Sequence, residues 1–131
     1  MADMERLNKL SELVIGAAIE VHRHLGSGFL ESTYERALSI ELELRGIQHE
    51  VQKPVALEYK GRSIGDGKVD LLVEGILVVE LKAVKDLADA HKTQVLAYLK
   101  ATEHKLGMLI NFHSPLLKDG VKRVVLDTAR D

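Results

Sequence analysis

The sequence predicts an α/β domain in which a central mixed β-sheet is flanked by helices. Three observations carry this prediction. Apolar residues recur at helical spacing across the first 45 positions, four short strand-like runs follow between residues 47 and 82, and a further helical segment then separates two more strand-like runs. A sheet built this way mixes hairpins with a helical crossover, and the helices cover its faces.

Residues 3–24 read as the first helix. Leu7, Leu10, Leu13, Val14, Ala17, Ala18, Val21 and Leu25 keep one apolar stripe, and Gly26-Ser27-Gly28 ends it. A second helix spans about Leu30 to Arg45, with Leu38, Leu42 and Leu44 as core positions and Gly46 as its stop. Strands are expected near 47–53, 54–60, 67–73 and 76–82, the first two parted at Lys53-Pro54. Turns are expected at Lys60-Gly61-Arg62 and Gly65-Asp66-Gly67. Asp86 reads as the N-cap of a helix running to about Thr102, with Asp89 also in its first turn. A buried strand (Leu106–Phe112) follows, and after Ser114-Pro115 a last strand covers about Val121–Leu126.

Length and composition set outer bounds. The 131 residues suit one domain, residues 1–131, with its own core. No run approaches a membrane span and the start lacks a signal-peptide pattern, so the expected location is cytoplasmic, with no membrane partner. The absence of cysteine excludes disulfides, thiolate metal sites and a cysteine nucleophile. The net charge of −2 argues against strong non-specific nucleic-acid binding. Its distribution is uneven: residues 1–81 carry 9 basic and 14 acidic side chains, residues 82–131 carry 9 and 6. That second part, at +3, is either a modest phosphate-facing surface or ordinary solvated charge.

The chemistry concentrates in Val69-Asp70-Leu71-Leu72-Val73-Glu74-Gly75-Ile76-Leu77-Val78-Val79-Glu80-Leu81-Lys82, a hairpin of two apolar runs about a glycine turn. Asp70, Glu80 and Lys82 interrupt runs that otherwise look buried, and a buried carboxylate is costly unless it is paired or holds a metal. Two carboxylates and a lysine on one hairpin are what a Mg²⁺- or Mn²⁺-dependent phosphodiesterase needs. The simpler alternative is a surface hairpin with a Glu-Lys pair and an unrelated Asp. The register supplies a test. Glu80 and Lys82 share a face with Val78, while Leu77, Val79 and Leu81 face the opposite layer. A two-residue turn would pair Asp70 with Val79, on the wrong face. A three-residue turn with Gly75 at positive φ, or a nearby bulge, brings Asp70 opposite Glu80.

Two further groups are weaker signals. His91, Gln94 and Tyr98 share one face of their helix. Beside a metal site Gln94 would orient water or the lysine and Tyr98 would reach a phosphate; otherwise the stripe is half-exposed. Glu31 stands in the first turn of the second helix with Tyr34 one turn on; it either complements the helix dipole or adds a third carboxylate to the metal.

Gly28-x-x-Glu31-x-x-Tyr34 resembles the signature of the GxxExxY proteins. The resemblance continues through Ala18-Ile19-Glu20-Val21-His22, the Asp70 and Glu80 strands, His91-x-x-Gln94 with Tyr98-Leu99-Lys100, Leu109-Ile110-Asn111-Phe112 and Gly120-Val121-Lys122-Arg123. That family is usually placed in the PD-(D/E)XK nuclease superfamily. The resemblance implies a restriction-endonuclease-like core, with Asp70 as the first acid, Glu80-Leu81-Lys82 as the E-x-K, and Gln94 to Tyr98 as a Q-x-x-x-Y element. It implies Asp70, Glu80, the Leu81 carbonyl and Glu31 as metal ligands, and Gln94, Tyr98, His91 and Tyr34 as supporting residues. Val69 stands where the superfamily often has proline. The implied activity is Mg²⁺- or Mn²⁺-dependent nuclease action on DNA or RNA, with DNA the favoured substrate. The alternative is a non-catalytic interaction domain that keeps the fold. Five aromatics (Phe29, Tyr34, Tyr59, Tyr98 and Phe112) offer little platform for stacking single strands, so a homodimer or protein partner could supply additional grip.

Overall fold

The computed structural model describes residues 3–127. Helices α1 (Met4–Leu25) and α2 (Glu31–Leu44) precede strands β1 (His49–Tyr59), β2 (Arg62–Val73) and β3 (Leu77–Lys82). Helix α3 (Asp89–Thr102), strand β4 (Leu106–Asn111), a 3₁₀ turn (Leu117–Gly120) and strand β5 (Val121–Val125) complete it. The strands form one five-stranded sheet in the order β1-β2-β3-β4-β5. Neighbours are antiparallel except β3 and β4, which run parallel and are joined through α3.

The helices divide between the two faces of the sheet, so β3 and β4 are buried on both sides and read as apolar runs. On one face Leu7, Val14, Ala18, Tyr34, Leu38 and Leu42 of α1 and α2 pack on Leu71, Val73, Leu77, Val79, Leu81, Met108 and Ile110. On the other, Val95 and Leu99 of α3 pack on Val55, Val69, Leu72, Val78, Leu109 and Val124. The approach of α3 is close: a Cβ on Gly107 would lie 2.6 Å from Val95 Cγ1. Asp3 caps α1 by accepting from Arg6 N at 2.8 Å, and Gly26 (φ 69) ends it.

Several expectations are corrected. No break separates 47–53 from 54–60: β1 runs through Pro54, which the sheet tolerates because β1 is an edge strand. Gly65-Asp66-Gly67 is not a turn but lies within β2, where Gly67 receives the Tyr98 ring. The cap of α3 is Ala88 and not Asp86; its N–H donates to His91 Nδ1 at 3.0 Å. Leu13 and Leu44 are exposed, lying off the packed stripes of their helices. No helix among the described residues is long and apolar enough to cross a membrane.

Candidate active site

The β2–β3 connection has three residues, Glu74, Gly75 and Ile76. Glu74 (φ 52) and Gly75 (φ 71) take left-handed conformations, and Ile76 N donates to Val73 O at 3.0 Å. The resulting register pairs Val73 with Leu77, Leu72 with Val78 and Leu71 with Val79. One step further, Asp70 comes opposite Glu80, as the parity argument requires.

The ladder ends at that step, and the carboxylates fill the gap. Asp70 N donates to Glu80 Oε1 (3.2 Å), and Leu81 N donates to Asp70 Oδ2 (2.8 Å). The other neighbour of Asp70 is irregular too. Gln52 holds φ 52 opposite Asp70, where the β1–β2 pairing skips a step, and its Nε2 donates to Asp70 Oδ1 (3.3 Å) and to Glu35 Oε2 (2.6 Å). Side-chain alternation slips at the same point: Val69 and Leu72, three residues apart, both pack on the α3 side, whereas Leu71 packs on the α1–α2 side. At this slip Asp70 is hydrogen-bonded to Glu80 and Leu81 on β3 and, through Gln52, linked to Glu35 on α2.

Burial sets the electrostatics. Glu80 is 5% exposed and its carboxyl is pushed up to about 8, by desolvation first and the Asp70 charge next; the Lys82 charge pulls the other way. Glu35 is also raised, by desolvation first and by Asp70, against the Gln52 hydrogen bond and Lys68. Lys82 is half-buried, two residues beyond Glu80 on the same face. The strand end that carries it is fixed: Phe112 N donates to Lys82 O (2.9 Å), while the buried Asn111 accepts from Val84 N (3.1 Å) and donates to Val84 O (2.8 Å). A partly buried acidic pair with a raised Glu80 carboxyl and a cation alongside can hold a proton or accept a divalent cation.

This hairpin sits inside a wider match. The family model described as the PD-(D/E)XK nuclease superfamily covers residues 8–124. The chain belongs to that superfamily. Among solved structures, the alkaline exonuclease LHK-Exo from Laribacter hongkongensis is similar with a TM-score of 0.53 and 14% identity, over 98% of this chain and 73% of that one. SSO0001 is similar with a TM-score of 0.49 and 15% identity, over 92% of this chain and 80% of that one. At 14% identity the likeness to LHK-Exo concerns the fold. No curated protein matches the chain.

Within the superfamily fold, the remaining expected residues are dispersed. Glu31 is exposed in the first turn of α2 and has no hydrogen bond or ion pair among the described residues; the α2 glutamate linked to Asp70 is Glu35, one turn later. Tyr34 is fully buried. Its hydroxyl donates to Gly26 O (2.5 Å) and accepts from Phe29 N (3.3 Å), and its ring stacks on Phe112 at 4.5 Å, so it fastens the α1–α2 loop to the core. Gln94 is exposed, His91 caps α3, and Tyr98 lies over Gly67 of β2, where an added Cβ would come within 2.7 Å of the ring. Glu35 and Gln52 are therefore the residues linked to Asp70 that spacing overlooks. The available signal for Glu35 was its position three and seven residues before Leu38 and Leu42, on the packed stripe.

Proposed function

We propose that the chain is a nuclease that hydrolyses phosphodiester bonds with Mg²⁺ or Mn²⁺, with DNA rather than RNA as its substrate. The observation that carries this reading is the interlocked Asp70–Glu80 pair at the point where β2 and β3 part, with Lys82 next on the same face. The donor set suits a hard divalent cation: two carboxylates, one buried and strongly reluctant to ionise alone, together with the Leu81 carbonyl that the E-x-K pattern implies. Among the described residues no three His, Asp or Glu side chains form a ready-made ion cage. Asp70 and Glu80 would hold the ion, and Glu35 would act on it through Gln52 and Asp70. A Mg²⁺ or Mn²⁺ held there would supply Lewis acidity, lowering the pKa of a water and offsetting charge at the phosphoryl group.

The chain's own residues do the rest. Lys82 orients the attacking water and stabilises charge developing on the phosphoryl oxygens. Gln52 fixes the Asp70 carboxylate by donating to one oxygen while Leu81 N fixes the other. Phe112 holds the Lys82 carbonyl and Asn111 the backbone of Val84 just beyond it. Glu31, Gln94 and Tyr98 support substrate from outside this cluster, and the GxxExxY relationship belongs to the same proposal.

One observation favours a second reading, a non-catalytic interaction domain: Glu80 already accepts from Asp70 N and Asp70 from Leu81 N, so the two carboxylates could serve as a structural clasp. Calorimetric titration with Mn²⁺ separates the two. The nuclease reading expects saturable binding that Asp70→Ala abolishes; a clasp gives no Mn²⁺ binding and loses stability in the same variant.

A further inference from the structure

The long β1–β2 hairpin does more than build the sheet. Only residues 71–73 of β2 pair with β3, whereas β2 pairs with β1 from Arg62 to Val73. Residues 53–69 therefore form a two-stranded ribbon that projects from the catalytic Asp70. One face of the ribbon rests on α3 through Val55, Leu57, Val69 and the Gly67–Tyr98 contact. Pro54, Ala56, Asp66 and Lys68 are exposed, and the tip, residues 58–66, is exposed throughout. Tyr59 and Ile64 are large apolar residues left in solvent at that tip, at 62% and 66% exposure. Lys60 Nζ lies 5.4 Å from the Tyr59 ring centroid.

We propose that this ribbon docks in the major groove of duplex DNA beside the cleavage site. The proposal takes its ligand class from the nuclease reading and adds strandedness and a binding element. A two-stranded β-ribbon has strands about 5 Å apart, and the B-form major groove, about 12 Å wide, admits it. The A-form major groove is too deep and narrow, so duplex RNA is excluded. Lys60, Arg62 and Lys68 supply phosphate contacts; Glu58 and Asp66 on the same ribbon keep its net charge low and favour weak, salt-sensitive docking. Tyr59 and Ile64 give apolar contact to base edges and sugars. From Asp70 to Arg62 is eight residues, about 27 Å of strand at about 3.4 Å per residue. At about 3.4 Å per base pair, the tip engages duplex about eight base pairs from the scissile bond.

The test is fluorescence anisotropy in EDTA, comparing duplex DNA with duplex RNA of the same sequence. The wild type is set beside Lys60→Ala/Arg62→Ala. The expected result is at least tenfold tighter binding to duplex DNA than to RNA, weakened about tenfold or more in the double variant. The salt slope should fall by about 2 with melting temperature unchanged. Unchanged affinity in the double variant, equal binding of duplex RNA, or no duplex DNA binding by the wild type overturns the proposal. Mn²⁺-dependent hydrolysis of bis(p-nitrophenyl) phosphate is measured in parallel. If it needs Asp70 while binding ignores the ribbon, only the ribbon proposal fails. If hydrolysis is absent while ribbon-dependent binding holds, only the nuclease reading fails.

Discussion

Replacing Glu80 with Gln should stabilise the metal-free protein at alkaline pH and remove a defined part of its pH dependence. In the folded chain this carboxyl titrates near 8, against 4.5 for the free side chain, because it is buried and faces Asp70. Below pH 4.5 both folded and unfolded chains hold the proton, and the group adds no slope. Between 4.5 and 8 the unfolded chain sheds a proton that the folded chain keeps, so stability falls as pH rises, and the loss is complete above 8. The full separation corresponds to a ceiling of about 5 kcal/mol. Relaxation and water entry in a coupled pair leave about half of that, roughly 2–3 kcal/mol. The glutamine does not titrate, its carbonyl can still accept from Asp70 N, and its amide can donate toward Asp70. Thermal melts in EDTA from pH 5 to 9 should therefore show the wild-type curve falling relative to Glu80→Gln, with a gap of roughly 10 °C at pH 9. Added Mn²⁺ should close that gap by stabilising the wild type alone. Wild-type and variant curves that stay parallel from pH 5 to 9 would refute the reasoning.

Three other outcomes follow from named contacts. Glu35→Gln and Gln52→Ala should each lower Mn²⁺ affinity or turnover by about 10–100-fold, since both act on Asp70 through hydrogen bonds, whereas Glu31→Gln should change turnover much less; titration calorimetry and initial rates check the ranking. Gly67→Ala should destabilise by about 1–3 kcal/mol, because its Cβ would meet the Tyr98 ring at 2.7 Å, and urea melts should show the loss relieved in a Gly67→Ala/Tyr98→Ala double variant. Tyr34→Phe should cost about 0.5–1.5 kcal/mol with turnover retained, as it leaves the part-buried Gly26 carbonyl and Phe29 N–H without their shared hydroxyl.

The parts of the site governed by parity were legible in the sequence. Glu80 and Lys82 share a face with Val78 whatever the sheet around them, and a three-residue turn or a nearby bulge was needed to bring Asp70 to Glu80; the connection is the three-residue one, Glu74–Ile76, and Asp70 N bonds Glu80. The contributions of Gln52 and Glu35 depend on pairings 18 and 17 residues apart along the chain. To reach Gln52, β1 must run through Pro54, and a proline signals a break when read locally but is tolerated on a sheet edge. Gly65-Asp66-Gly67 misled for a related reason: the glycine at 67 makes room for Tyr98 and not for a turn. Asp86 had cap chemistry, yet the His91 ring satisfies the first free N–H of α3 and sets its start at Asp89. At Pro54 and Gly67 local propensity gave way to the sheet and to a contact from α3, and at Asp86 to a capping contact within α3 itself.

The most direct measurement is cleavage by the purified chain of duplex and single-stranded DNA and of RNA, with Mg²⁺, Mn²⁺ or EDTA, beside an identically purified Asp70→Ala protein. Metal-dependent cleavage of DNA, abolished by EDTA and lost in Asp70→Ala by at least about a hundredfold, is the predicted result. No cleavage with either metal, or cleavage that survives in Asp70→Ala, would contradict it.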